Sequence, residues 1–399
     1  MSRPADAAGR RLTDWPILAL GFRPFYLGAA VFAVVVLPVW IAVYLGQLQA
    51  TGYLSGVAWH SHEMIFGFAP AVIAGFLLTA VRNWTSQPTP TGRALAALVL
   101  LWVAARILVV TGPDLLAIAA DVAFLPAVAV AVGIPIWRSK NSRNYKILVV
   151  LLVLTLANLV YHLAHIGILP PAFTRTATIG ALDIITILMA VVGGRVIPAF
   201  TANAIPGAGV RQLPALEIAS IVPLVLLLVA GILSYWISFP DWAWLSLLII
   251  AVLTQTLRWW LWRPLQTWRN PLLLMLPVAY VWIPLSLAMR ALALVGTIPP
   301  AVAIHALTLG AISGLMLAMM MRSALGHTGR ALAAERIEIL AFFLVQAGAI
   351  TRLASGFVDP SNYQGLVVAS GILWSLAFAA FLFRYAPMLC RSRIDGKPG

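Results

Sequence analysis

Apolar length constrains this chain more than any motif does. Its 399 residues contain about twelve continuous apolar runs of roughly 17 to 25 residues, the length an α-helix needs to cross a hydrocarbon core about 30 Å thick. They fall at 27–46, 59–80, 94–110, 115–136, 147–169, 178–199, 216–236, 242–262, 272–296, 300–321, 336–357 and 364–386. A membrane-spanning barrel would alternate apolar and polar residues instead. The expected fold class is therefore all-α, a polytopic membrane helix bundle. With 62% hydrophobic and 10% charged residues, a water-soluble enzyme is excluded. No loop between runs exceeds about sixteen residues, far below the roughly 50 a separate domain needs. Residues 1–399 thus read as a single transmembrane domain with short cytoplasmic tails, 1–26 and 387–399.

The formal charge is +14. Nucleic acid is not the reason, because the basic residues lie between apolar runs and form no exposed stripe. Eighteen of the 26 Lys and Arg occupy the two tails and every second loop, whereas the intervening loops hold only Arg175. Positive charge stays on the cytoplasmic side, so both termini are expected there. Arg3, Arg10 and Arg11 precede a full-length first run with no small-residue cleavage site, which reads as an anchor and not a signal peptide. The single cysteine, Cys390, excludes disulfides, iron–sulfur clusters and covalent C-x-x-C-H haem attachment within this chain. There is no nucleotide-binding glycine motif, so any redox chemistry needs an external electron donor, a quinol or a periplasmic cytochrome.

Ionisable residues inside spans are costly and mark function. Five of the six histidines fall within roughly 10 Å of the outer surface: His60 and His62 open the second span, His162 and His165 end the fifth, and His305 lies early in the tenth. His327 alone is on the cytoplasmic side. Histidine is the commonest ligand of haem iron, copper and zinc, and a bundle can present it from several helices at one depth. All five outer histidines are therefore candidate metal ligands, the alternative being interfacial residues bonded to water or headgroups.

Spacing refines these roles. His162 and His165 share a helix face and are able to hold one ion, whereas His60 and His62 are about 200° apart and serve different purposes. Glu63 reads either as the partner that orients His60, as a catalytic proton donor, or as a simple interfacial carboxylate. On a helical wheel Met316 lies about 20° from His305, extending a soft wall below it, or merely fills the core. Gly310 and Gly314 form a close-packing back on the same helix. Arg106, Arg290 and Arg352 sit at the histidine level, where they would hold haem propionates, pair with Asp121 or Asp183, or snorkel. Arg195 and Arg258 are expected to snorkel to the cytoplasmic side. His327, in the basic loop Arg322 to Arg330, reads as a binding turn for a second haem or another anion, or as a structural turn.

Several stretches resemble the NnrS family of membrane proteins. They are Gly21-Phe22-Arg23-Pro24-Phe25, Trp59-His60-Ser61-His62-Glu63-Met64, Gly75 to Ala80 with Asn83-Trp84-Thr85, Gly193-Gly194-Arg195-Val196-Ile197-Pro198, and His305-Ala306-Leu307-Thr308 through Leu325-Gly326-His327-Thr328. The similarity spans nearly the whole chain, departing at Ser61 and Arg82; His162 and His165 belong to no family motif. The resemblance implies a bacterial inner-membrane protein with about twelve spans that contains haem b and copper and acts on nitric oxide. It carries cofactor-ligand roles onto His60, His62 and His305, and extends to His327. Five histidines on one face suffice for one haem, held by His305 with His60 or His62, plus a copper ion. Sensing, scavenging and reduction of nitric oxide to nitrous oxide are all chemically open. Reduction would draw protons from outside past Glu63, since Gln255 and Glu338 are sparse stepping stones from within. A rival from another class is a secondary transporter, suggested by twelve spans and the mid-span prolines Pro70, Pro126, Pro277 and Pro284.

Overall fold

A computed structural model describes residues 15–49 and 52–397. The readings placed on Arg3, Arg10 and Arg11 lie outside these residues. Among the described residues there are helices and no strand, as a lipid environment requires of a chain whose backbone must be satisfied within each segment. Twelve helices are long and apolar enough to cross a membrane: α1 (Phe22–Tyr44), α2 (Gly56–Thr85), α3 (Gly92–Thr111), α4 (Asp114–Arg138), α5 (Ser142–His165), α6 (Ala172–Ala204), α7 (Pro214–Leu233), α8 (Asp241–Leu261), α9 (Pro271–Leu294), α10 (Pro300–His327), α11 (Arg336–Phe357) and α12 (Pro360–Leu389).

Several helices outrun their apolar stretches, because a buried polar residue does not stop a helix when its side chain finds a partner. Arg23 extends the start of α1 and donates from Nη1 to the carbonyls of Leu389 at 3.0 Å and Arg391 at 2.6 Å. This ties the first helix to the end of the last, and α12 also packs along α1 and α11. Burial ranks the layers: 89% of the apolar window of α2 is buried, against 22% for α7 and for α8. Helix α2 is thus the central post, and α7 and α8 face lipid.

Two central helices are not uniform. Residues Glu63–Phe68 of α2 and Ala306–Ser313 of α10 wind in wide π-type turns. Such turns are rare and cluster at functional sites. Each begins directly after a histidine, His62 in α2 and His305 in α10. Side chains compensate for the altered backbone: the Trp102 indole donates to the Gly67 carbonyl at 3.0 Å, and Ser313 donates to the Thr308 carbonyl at 2.9 Å while accepting from Trp374 at 3.0 Å. The wide turns also correct the wheel drawn through His305 and Met316. An uninterrupted period of 3.6 residues does not hold across Ala306–Ser313, and Met316 instead lines an apolar gap of about 90 Å³ with Met319, Tyr26 and Phe76. His305 is not part of that lining. The glycine back is as expected: a Cβ on Gly310 would strike the Trp282 indole, and one on Gly314 would lie 2.9 Å from Gln346 Nε2 and 3.0 Å from Ala279.

Candidate metal centre

The start of α2 presents its two histidines to different neighbours. His62 is fully buried against α3, α4 and α5, its ring centroid 4.9 Å from that of His162. His62 Nδ1–H donates to Glu63 Oε1 at 3.0 Å. His62 Nε2 lies 3.1 Å from Asp121 Oδ2 and 3.2 Å from Asn158 Oδ1. Asn158 Nδ2 donates to Asp121 Oδ2 at 2.7 Å, which settles the orientation of its amide. His162 Nε2 approaches the same Asp121 oxygen at 3.0 Å, and its Nδ1 accepts from the Tyr53 hydroxyl at 3.2 Å. Arg106 closes the cluster, donating to Glu63 Oε1 at 2.7 Å and pairing with Asp121 Oδ1. A Cβ on Gly67 would lie 2.7 Å from Arg106 Nη1, so the wide turn needs glycine there to admit the guanidinium.

The cluster is one cation short. Both His62 nitrogens face oxygens that can only accept, yet a neutral imidazole carries one proton. Glu63 and Asp121 share the single cation Arg106, leaving one negative charge in excess. A further cation, a proton or a metal ion, satisfies both counts. Among the described residues, His62, Asp121 and His162 offer one ligand atom each within 4.8 Å of one another, a two-histidine, one-carboxylate donor set of the kind that binds transition metals.

His60 points the other way. Half-buried, it stacks on Trp40 with centroids 4.1 Å apart, and its Nδ1 is buried without a partner. His305 and Arg352 lie within electrostatic reach of it. His305, also half-buried, donates from Nδ1 to the Ala301 carbonyl at 2.7 Å, which leaves Nε2 unprotonated. Arg352 donates to Ser355 Oγ at 2.6 Å and has no carboxylate partner among the described residues. The split between His60 and His62 is the one their spacing predicts.

Other expectations are corrected. Glu63 orients His62, not His60, because the adjacent ring reaches it first. His162 and His165 do not converge on one ion: His165 is exposed and bonds the Tyr53 carbonyl at 3.1 Å, while the Tyr53 ring stands against both imidazoles. Of the roles expected for Arg106 and Arg290, carboxylate pairing is the one found: Arg106 meets Glu63 and Asp121, and Arg290 meets Asp183 at 2.7 Å. Arg258 does not snorkel; it pairs with Glu217 and donates to Tyr280 at 3.3 Å. His327 sits at the opposite end of α10 from His305, its ring 5.5 Å from Phe22 and its carbonyl receiving Arg393 at 3.0 Å. It shares no centre with the other five. Sequence reasoning named Asp121 only as an arginine partner and missed Asn158, Tyr53 and Trp40. The i, i+4 spacing of Asn158 and His162 on one helix face was the available signal.

The protein is a multi-pass helical membrane protein with a buried histidine and carboxylate cluster near one end of its bundle. A family model described as NnrS protein matches residues 16–393, nearly the whole chain, and the chain belongs to that family. No curated protein matches it. Family membership links it to nitric oxide.

Proposed function

We propose that this protein binds haem b with His60 and His305 and copper with His62, Asp121 and His162, and acts on nitric oxide at that paired site. The observation that carries the reading is the convergence, at one end of the bundle, of a ring nitrogen without a partner, a second imidazole with its Nε2 free, and a cluster short of one cation. The distribution of basic loops supports a reading in which this end faces the periplasm from a bacterial inner membrane and both termini are cytoplasmic. The residues fit both groups. The carbonyl of Ala301 orients His305 and raises its basicity, and Arg352 is a cation free to meet a propionate. An excess of one negative charge suits a monovalent copper ion. When bound, haem iron and copper would supply redox-active metals with affinity for nitric oxide, and reduction of two NO to nitrous oxide and water would consume two electrons and two protons. The electrons come from a quinol or a periplasmic cytochrome. Binding without turnover is the second reading, favoured by the state of Glu63: both His62 and Arg106 hold its Oε1, so it is a poor proton donor as it stands.

Detergent-purified protein, expressed with ample haem and copper, should show a reduced b-type spectrum that shifts with NO and is lost in His60→Ala and His305→Ala. His62→Ala and His162→Ala should lose copper while keeping haem. Colourless protein without iron would overturn the reading and favour transport. Nitrous oxide formed with a chemical reductant separates turnover from binding.

A further inference from the structure

At the end of the bundle opposite His62, His162 and His305, α5, α6 and α7 enclose a cavity of about 740 Å³. Its long wall is aliphatic, built from side chains such as Val150, Val153, Leu188, Val191, Ile221 and Val225. It opens sideways, since two of its lining residues on α7, Ile218 and Val222, are 65% and 46% exposed. Polar groups collect at one end only: Arg143, Lys146, Arg195, Gln212, Glu217 and Arg258.

The charges at that end do not cancel. Glu217 is committed to Arg258, accepting from its Nε at 3.1 Å and from its Nη2. A Cβ on Gly194 would collide with the same guanidinium, so that pair forms a set floor. Arg143, Lys146 and Arg195 remain, and none has a carboxylate partner among the described residues. Arg195 donates from Nη1 to Asn144 at 3.1 Å, but its Nη2 is buried with no partner. Three cations at the head of a lipid-facing aliphatic slot call for an amphiphile with an anionic head. A quinone headgroup is neutral and would leave them uncompensated, and a soluble anion would leave the slot empty.

We propose that this cavity binds one anionic phospholipid, its phosphate held by Arg143, Lys146 and Arg195 and an acyl chain laid between α5 and α7. Basic pockets between spans on the cytoplasmic side recognise headgroups in this way. The proposal is independent of the haem and copper reading.

Native mass spectrometry of delipidated protein, titrated with phosphatidylglycerol and with phosphatidylcholine of the same chains, tests it. The expected result is one retained phosphatidylglycerol and a clear preference over phosphatidylcholine. Each cation removed should weaken retention about fivefold, and the triple variant Arg143→Gln, Lys146→Gln, Arg195→Gln about a hundredfold. Val222→Trp, which fills the slot from its exposed side and spares the cations, should also lose the lipid. Equal retention of the two lipids, or a triple variant that binds as tightly as the parent, overturns the proposal. Displacement by inorganic phosphate with Val222→Trp silent would reassign the site to a free anion. Lipid selectivity in the parent protein and the Val222→Trp result decide the matter even if the triple variant does not fold.

Discussion

At the scale of single residues, the buried cluster depends on mutual compensation. Asp121 serves Arg106, His62, His162 and Asn158 at once. Replacing it with Asn would leave Arg106 balanced by Glu63 but take the shared anionic acceptor from His62, His162 and Asn158, and a hydrogen bond to a charged group contributes about 1.5–3 kcal/mol. Asp121→Asn should therefore lower the melting temperature in detergent markedly and abolish copper binding, whereas His165→Ala, at an exposed ring, should do neither. At the other end of the bundle the chain terminus is clipped by a water-exposed pair. Arg393 donates to both Asp395 carboxylate oxygens, at 2.8 and 2.6 Å, and the Ile394 amide donates to the Thr328 carbonyl at 3.3 Å. The Arg393 guanidinium holds the Asp395 carboxyl well below the usual carboxylate range. A depressed carboxyl contributes stability above its unfolded value of about 3.9 and loses it as the pH falls through the folded value. Amide exchange across residues 391–397 should thus be unchanged between pH 7 and pH 5 and accelerate, after correction for intrinsic rates, only in stronger acid. Asp395→Asn should be fast throughout.

At the scale of elements, the helices were legible and their irregularities were not. Twelve spans follow from twelve apolar runs, since lipid offers the backbone no other partner. The wide turns after His62 and His305 have no comparable signature in composition. They exist because Trp102, Ser313 and Trp374, brought in by other helices or by the fold of α10 itself, satisfy groups that a regular helix would satisfy alone. Gly310 shows the same dependence on a neighbour. Gly310→Ala forces the Trp282 indole aside and should cost about 1–3 kcal/mol by overpacking. Gly231→Ala on α7, with open space around its Cβ, should be neutral or mildly stabilising through helix propensity. Thermal unfolding of the two variants side by side checks the contrast; equal effects would mean that α9 and α10 do not pack closely there.

At the scale of the whole molecule, the two ends of the bundle differ in chemistry. One gathers five histidines and the buried carboxylates Glu63 and Asp121; the other gathers unpaired arginine and lysine. Orientation is testable with cysteine chemistry, because Cys390 is exposed and is the chain's one thiol. In intact cells a membrane-impermeant maleimide should label Ile168→Cys, at a 65%-exposed position in the loop after α5, in a Cys390→Ser background. It should reach Cys390 of the parent protein only after the membrane is opened, and the reverse pattern would invert the topology. Fold class and span number were determined by local apolar length, which acts along the chain. The partner of each imidazole was decided by packing. His62 and His60 are two residues apart, yet one is committed to Asp121 on α4 and Asn158 on α5 and the other to Trp40 on α1. Such choices belong to contacts between distant segments, and a one-dimensional period carries no information about which helix lies alongside which.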